Sequence, residues 1–454
     1  MSAATALPRL LDGADPHGGT PLGAHLAHHG LETLDVDPAW LVREVERAGL
    51  RGRGGAAFPT ATKLEVVGHG RRRAVVVANG SEGEPASAKD ALLLAQAPHL
   101  VLDGLQLAAA ATRAGDAILC IKHGARDAQA AVARALGERA ASGRDPVYVR
   151  VVAVPDGYVS GEESALTHVL NGGRAVPTFV PPRPFEKGVD GRPTLIQNVE
   201  TLAHVALIAR YGADWYRALG TAAEPGTALV TLGGAVERPG VREIALGTPI
   251  AALVAHGGGD LSRARGVLVG GYFGTWLDPA AARTATLDGG SLRPLGASLG
   301  CGVVAVLGDD ACPVAETARI ATWLADQSAG QCGPCVFGLA AIADALASVA
   351  DGRAARAMAA ASRSSGRRRG RSGGGRRSER FEDPLARVRR WCGDVAGRGA
   401  CRHPDGAVRL VASALRTFEA DFEDHLRHGP CSACARPSTL PLPRYDGSPL
   451  EAVA

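Results

Sequence analysis

The chain has 454 residues, 46% of them hydrophobic and 21% charged, with 50 basic against 46 acidic side chains for a formal net charge of +4. That composition excludes wholesale disorder and allows roughly three domains with ample core. No apolar run reaches the roughly 18–20 residues that a membrane span needs, and the start MSAATALPRLLDGADPHGG has no cationic stretch leading into an apolar one. The expectation is a cytoplasmic protein with no membrane insertion, whose nine cysteines are metal ligands or core rather than disulfides.

The basic charge is local. Residues 363–380 hold eight Arg and one Glu, a net +7, so the rest of the chain carries 4 − 7 = −3. Lysine occurs only at Lys63, Lys89, Lys122 and Lys187, and asparagine only at Asn79, Asn171 and Asn198. In so Arg- and Ala-rich a chain, a retained Lys or Asn marks a position that needs its chemistry.

Residues 1–39 have little periodicity and read as a loosely packed lead-in. From about 40 to 222 strands alternate with helices. Arg73–Asn79, Ala117–Lys122 and Val147–Val154 are short β-branched runs, separated by helical patterns over His99–Ala114 and Ala125–Ala141. This alternation predicts an α/β fold with a parallel sheet, whose ligands lie beyond the carboxyl ends of the strands. Attention therefore falls on the loops after Asn79 and Val154. Over 223–303, short runs at Ala228–Gly234, Val241–Ile244 and Gly266–Gly271, with a helix near Pro249–His256, read as a small α+β module. Helical patterns follow at Pro313–Gln327, Val336–Val349, Asp383–Cys392 and Val408–Leu426. The Arg/Gly/Ser stretch at 362–381 interrupts them as a solvated insertion. A net +7 tract can hold polyanions, but with no interleaved aromatics no nucleic-acid partner is expected.

Four polar segments carry candidate chemistry. Gly49-Leu-Arg-Gly52-Arg-Gly54-Gly55 precedes Phe58 and Lys63; clustered glycines admit close backbone approach to an anion, and the lysine adds a point charge, although a bare flexible turn fits the glycines too. Asn79-Gly-Ser81-Glu82-Gly83-Glu84 follows a buried strand and suits either a ligand edge or a solvated helix cap. Gly161-Glu162-Glu163 opens a helix, where acids also serve the helix dipole. Gln197-Asn198-Val-Glu200-Thr201 is the fourth. Among the thiols, Cys120, Cys301 and Cys312 stand singly and read as core. Cys332-Gly-Pro-Cys335 reads as a metal-ligating pair, and Cys392, Cys401 and Cys431-Ser-Ala-Cys434 are further thiolates whose use the spacing leaves open.

In this order, and ahead of a helical C-x-P-C region, these segments resemble the NADH-binding flavoprotein subunit of respiratory complex I and the related subunits of NAD-dependent hydrogenases and formate dehydrogenases. The resemblance implies a Rossmann-like FMN-binding domain over 40–222, an SLBB (ubiquitin-like β-grasp) module over 223–303, a helical iron–sulfur domain over 304–430 and a tail over 431–454. It implies that Gly52, Gly54 and Lys63 hold the FMN phosphate and ribityl, and that Asn79, Glu82, Gly161, Glu162 and Glu163 line the ring. Gln197, Asn198 and Thr201 would close that pocket, while Phe58, Glu84, Glu163 and Arg183 would meet the nucleotide. Cys332, Cys335 and Cys401 would be cluster ligands, with electrons leaving to a ferredoxin-like protein or a partner in a larger complex.

Two departures stand out. Val66, Val180 and Arg183 occupy positions where the family stacks or pairs with the adenine end, which leaves NADH, NADPH and no nucleotide all open. In Ser328-Ala329-Gly330-Gln331-Cys332-Gly333-Pro334-Cys335, Ala329 stands where the family has its first cluster cysteine. The fourth ligand is then open among Cys431, Cys434 and Cys392, with a three-iron cluster, zinc or an empty site as alternatives. The expected activity is electron transfer from NAD(P)H through FMN to an iron–sulfur centre, with no side chain acting as acid or base. The alternative is a flavin-binding or scaffold subunit that transfers no hydride.

Overall fold

The computed structural model describes residues 7–16, 18–31, 33–70, 72–367 and 383–443. Four short runs rich in β-branched residues form a parallel sheet: β1 (Val75–Gly80), β2 (Asp116–Lys122), β3 (Val149–Val154) and β4 (Thr194–Asn198), in the order β3-β2-β1-β4. β1 and β2 are almost entirely buried because helices cover both faces, as parallel crossovers require. The helix Pro98–Thr112 packs on one face beside Val199–Tyr211, and its close approach needs Gly104, where a Cβ would lie 1.9 Å from the Leu202 carbonyl oxygen.

A second sheet contains β5 (Thr227–Gly234), β6 (Gly240–Ala245), β7 (Ala264–Val269), β8 (Thr275–Leu277) and β9 (Val303–Gly308), in the order β6-β5-β9-β7-β8. Only the β5–β9 pair is parallel; the helix Ile250–His256 buries Ile250, Leu253 and Val254 beside this sheet. Beyond it the chain is helical: Pro313–Asp326, Ala340–Ala350, Arg353–Arg367, Pro384–Val395, His403–Thr417 and Glu419–His428.

Several expectations are corrected. The lead-in is not loose: Leu10 is fully buried, and His25 on the Leu22–His28 helix lies 2.9 Å from buried Asp103. The helix read over Val408–Leu426 is two helices meeting at Phe418, whose ring sinks into the core and packs on Trp276. Pro334–Leu339 forms a wide π turn ahead of Ala340. Of the stretch 362–381, residues 362–367 continue the Arg353–Arg367 helix and residues 368–381 lie outside the described residues. Among the described residues no single helix is long and apolar enough to cross a membrane.

Candidate functional site

Parallel pairing sets the site. The register places Asn79 opposite Asn198 and Ala78 opposite Gln197, so β1 and β4 end side by side. Their polar ends face the same edge, where ligands of open α/β sheets bind. Asn198 caps the Val199–Tyr211 helix by accepting from Glu200 N at 3.0 Å, and its amide donates to Asp90 at 2.6 Å. Asn79 donates to the Gly161 carbonyl at 2.8 Å and accepts from Ser81 N at 3.1 Å.

The loop after β1 and the 157–163 loop interlock so closely that two glycines are obligatory. A Cβ at Gly161 would sit 2.2 Å from the Ser81 carbonyl oxygen, and one at Gly83 would sit 2.3 Å from that of Tyr158. Glu162 is a helix cap: it accepts from Ser164 N at 2.9 Å and Ala165 N at 3.1 Å.

The glycine loop arrives from the other side. Gly52 N donates to the Phe58 carbonyl at 2.9 Å, and at Gly54 the backbone runs so near β4 that a Cβ would meet that of Asn198 at 3.3 Å. Thr201, wholly buried, accepts from Arg53 N at 2.9 Å and thereby pins the loop. Arg53, for which the local sequence pattern gives no signal, is buried and donates to the Thr227 carbonyl and to Tyr216 Oη at 2.9 Å. From the start of the Thr60–Gly68 helix, Lys63 reaches the Glu163 carboxylate and the Ile196 carbonyl at 3.3 Å.

A charged cluster lies beneath this edge. Lys89 Nζ sits 2.6 Å from Asp90 and 2.8 Å from Glu200, and this pairing pushes the lysine's pKa up in spite of burial. Glu82 accepts from Ser87 Oγ and from Asp90 N at 3.3 Å. Desolvation first, and the Asp90 charge second, raise its pKa from 4.5 to about 7. The folded chain therefore keeps this proton to a higher pH than the unfolded chain does. Stability must fall as pH rises from 4.5 through about 7. Glu82→Gln keeps the geometry, because the amide carbonyl can accept from Asp90 N while the NH2 donates to Ser87 Oγ. The variant is expected to gain about 3 kcal/mol over wild type at pH 8 and nothing at pH 4, in chemical unfolding followed by circular dichroism. Parallel stability–pH curves would refute this.

Glu84 behaves differently from the expectation that it meets a nucleotide. It is 7% exposed and accepts from Tyr272 N at 2.7 Å, Ala86 N at 3.1 Å and Tyr158 Oη at 3.1 Å, joining the β1 loop to the second sheet. Phe58, by contrast, is exposed, as is Arg183, whose backbone N donates to Glu186 at 2.8 Å. The Pro184–Lys187 turn packs against the Thr60–Gly68 helix, and it carries exposed Phe185; nearby in sequence, Phe179 is 82% exposed. These two aromatics beside Arg183 escape a search for rings at fixed positions, and only their shared exposure marks them.

The fit to a flavin rests on two orphans. Gln197 Nε2 and Ser81 Oγ are buried with no partner, although buried polar atoms ordinarily have one. They stand at the same strand ends as Asn79 and Asn198, within a rim that offers Lys63 and loop N–H groups. A polar ring edge with a phosphate-bearing chain satisfies both features.

The 157–163 loop also reaches the helical region. Tyr158 N donates to Gln327 Oε1 at 3.0 Å, and the Tyr158 ring packs edge-on against Phe273, Trp323 and His403 at 4.7, 5.0 and 5.8 Å. Beyond it are Cys332, Cys335 and Cys401. Burial, and then its neighbours Cys332 and Cys401, push the Cys335 thiol up to about 12. Burial raises Cys401 as well, and the Glu162 charge adds to it. Such thiols ionise together only around a cationic core. Among the described residues, the groups whose ligand atoms all lie within 4.8 Å of one another are Cys312–His425–Cys431–Cys434 and Asp12–His28–His29, and the sulfurs of Cys332, Cys335 and Cys401 form no such group. A polynuclear cluster spreads its thiolates wider than one ion does. Cys332 and Cys401 are thus the thiols that act on Cys335, and Ala329 offers none. Cys431 and Cys434 are engaged elsewhere, and only burial, without another thiol, raises Cys392.

Known proteins with this sequence pattern agree. Residues 45–207 match the family described as Nuo51 FMN-binding domain, and residues 315–425 match the NADH-ubiquinone oxidoreductase-F iron–sulfur binding region. An NADH-quinone oxidoreductase F-subunit of Rhizobium meliloti is 30% identical over 446 residues, covering 93% of this chain and 99% of its own. The NADH-quinone oxidoreductase F-subunit of Mycobacterium bovis is 30% identical over 436 residues, covering 90% of this chain and 89% of its own. The crystal structure of an NAD+-reducing [NiFe]-hydrogenase in the H2-reduced state superposes with a TM-score of 0.77 at 30% identity, over 94% of this chain and 68% of the hydrogenase chain. The chain therefore belongs to the family of NADH-quinone oxidoreductase F-subunits, which bear the flavin and an iron–sulfur centre.

Proposed function

We propose that this chain is the electron-entry subunit of a larger assembly, an oxidoreductase that takes electrons from NAD(P)H through FMN to an iron–sulfur centre and on to a partner protein. The observation that carries this reading is the pair of orphaned polar groups, Gln197 and Ser81, at a strand edge that one loop joins to three clustered thiols. A bound flavin supplies hydride acceptance, and an iron–sulfur centre supplies one-electron transfer. The protein's share is positioning. Gly52 and Gly54, lacking side chains, let the loop backbone approach the phosphate closely, with Lys63 as its counter-charge. Asn79, Gln197 and Asn198 present amides to the ring. Glu82, Gly161 and Glu162 shape the opposite wall, and Thr201 acts through the loop that it holds. Glu163, released from Lys63 when phosphate takes the lysine, faces the nucleotide. Phe58 and the 179–185 segment supply the surface for its adenine end, where Arg183 can stack or pair with a 2′-phosphate. Glu84 is a positioning residue here.

In this reading 40–222 is the flavin domain and 223–303 a β-grasp module of SLBB type. Residues 304–430 form the helical iron–sulfur domain, and 431–454 the tail. The Tyr158, Trp323 and His403 rings fill the space between flavin edge and thiols, keeping water from the electron path. Exposed Val336 and Phe337 beside Cys335 offer apolar surface to an electron-accepting partner. Nine free thiols suit a reducing cytoplasm.

The test is anaerobic stopped-flow mixing of flavin-loaded protein with NADH and with NADPH. Bleaching of flavin absorbance by either supports the reading. No bleaching by both overturns it in favour of a protein that holds flavin without hydride transfer. Lys63→Ala is expected to weaken FMN binding roughly tenfold to hundredfold in a fluorescence titration, the worth of one charge-assisted contact. Unchanged affinity would remove Lys63 from the phosphate site.

A further inference from the structure

Away from the flavin edge, four soft ligand atoms converge where no function has yet been assigned. Cys312 Sγ lies 3.4 Å from His425 Nε2 and 3.3 Å from Cys434 Sγ. Cys434 Sγ lies 3.2 Å from the same His425 nitrogen and 3.7 Å from Cys431 Sγ. All four atoms fall within 4.8 Å of one another. Zinc bond lengths of about 2.3 Å to sulfur and 2.0–2.1 Å to nitrogen imply tetrahedron edges of about 3.8 Å between sulfurs and about 3.5 Å between sulfur and nitrogen. The four separations, 3.2 to 3.7 Å, lie within about 0.5 Å of those edges, close enough for one ion to draw the set into a closed tetrahedron.

The surroundings are built for the same purpose. Cys312 is the N-cap of the Pro313–Asp326 helix and accepts from Ala315 N at 3.4 Å, which orients its sulfur. His425, on the Glu419–His428 helix, holds its other ring nitrogen 2.8 Å from the Asp421 carbonyl oxygen. That contact fixes the Nδ1–H tautomer and leaves Nε2 free as a ligand, the usual outer-shell arrangement of a metal-bound imidazole. Cys431 and Cys434 stand at C-x-x-C spacing around the Ser432–Ala435 turn. All four residues are wholly independent of Cys332, Cys335 and Cys401.

We propose that Cys312, His425, Cys431 and Cys434 form a structural zinc site separate from the iron–sulfur centre. It clips the C-terminal tail to the helical region. Three thiolates and one imidazole with no open position match a closed, non-catalytic zinc site, and the set prefers zinc to hard cations. The clipped tail then crosses the Pro313–Asp326 helix: Thr439 N donates to Glu316 at 2.6 Å, Arg319 donates to the Leu440 carbonyl at 2.7 Å, and Tyr272 Oη donates to the Pro441 carbonyl at 2.5 Å. Tyr272 is also the residue whose N–H holds Glu84, so the clip braces the flavin-side loop indirectly.

Metal analysis by mass spectrometry of the purified full-length chain tests this, with zinc absorption-edge fine structure. The expected result is about one zinc per chain, with three sulfurs and one nitrogen in its shell. Cys431→Ser/Cys434→Ser is expected to lose at least tenfold of the zinc while keeping its iron; Cys332→Ser should do the reverse. His425→Cys, which preserves four soft ligands, should retain zinc and so separates ligation from misfolding. A chain purified without zinc, iron in this tetrahedral site, zinc retained in the double variant, or zinc lost from Cys332→Ser would each overturn the proposal. None of these results depends on hydride transfer, so failure here is distinguishable from failure of the proposed electron-entry function.

Discussion

Lys89→Met is expected to destabilise the chain by about 3–5 kcal/mol, the cost of breaking a buried ion pair from one side. The lysine is 2% exposed, and its ammonium lies between the carboxylates of Asp90 and Glu200, with Glu82 close by. Methionine fills a similar volume but leaves those acids facing one another, with the Arg53 guanidinium 3.8 Å from Glu200 as the remaining cation. The damage extends to the site. Asp90 holds the Asn198 amide, and Glu200 Oε1 accepts from Leu229 N at 2.8 Å, tying the flavin-side helix to the second sheet. Flavin content should therefore fall together with the unfolding free energy in denaturant titration. A loss below about 1 kcal/mol, the scale of an exposed pair, would show that water screens the cluster.

Ala329→Cys is expected to complete the iron–sulfur centre's cysteine set. It adds a thiolate three residues before Cys332, completing a four-cysteine set with Cys335 and Cys401. Iron and sulfide per chain should rise toward the four-iron stoichiometry, and loss of iron in air should slow several-fold, because a fourth thiolate would anchor the cluster. The spectrum of the reduced protein by electron paramagnetic resonance reads the same change. A wild-type chain that already holds four irons as firmly as the variant would mean that a group other than cysteine supplies the last ligand.

The polar strand edge proposed for the flavin was legible in part from scarcity. In a chain with four lysines and three asparagines, Lys63, Lys89, Asn79 and Asn198 all lie at or beneath one strand edge. The parallel sheet was legible from alternating periods, because β-branched runs and helical spacing are local signals. Glu84 was not legible as a buried brace, since its partner Tyr272 lies 188 residues away. Arg53 was hidden for the same reason: its guanidinium meets Thr227 and Tyr216 across distances that no local pattern records.

The cysteines draw the boundary most sharply. Sequence by itself determined that Cys332 and Cys335 form a pair, because C-x-x-C spacing brings two thiols to one turn whatever else the chain does. It determined equally that Ala329 cannot be a ligand. Only the tertiary structure decided that Cys312, which reads as a lone core residue, faces His425, Cys431 and Cys434. Ligand atoms 3 to 4 Å apart can come from residues more than a hundred positions apart, as Cys312 and His425 do. What brings them together is the packing of the Pro313–Asp326 helix beside Glu419–His428, which side-chain complementarity sets and no local spacing encodes.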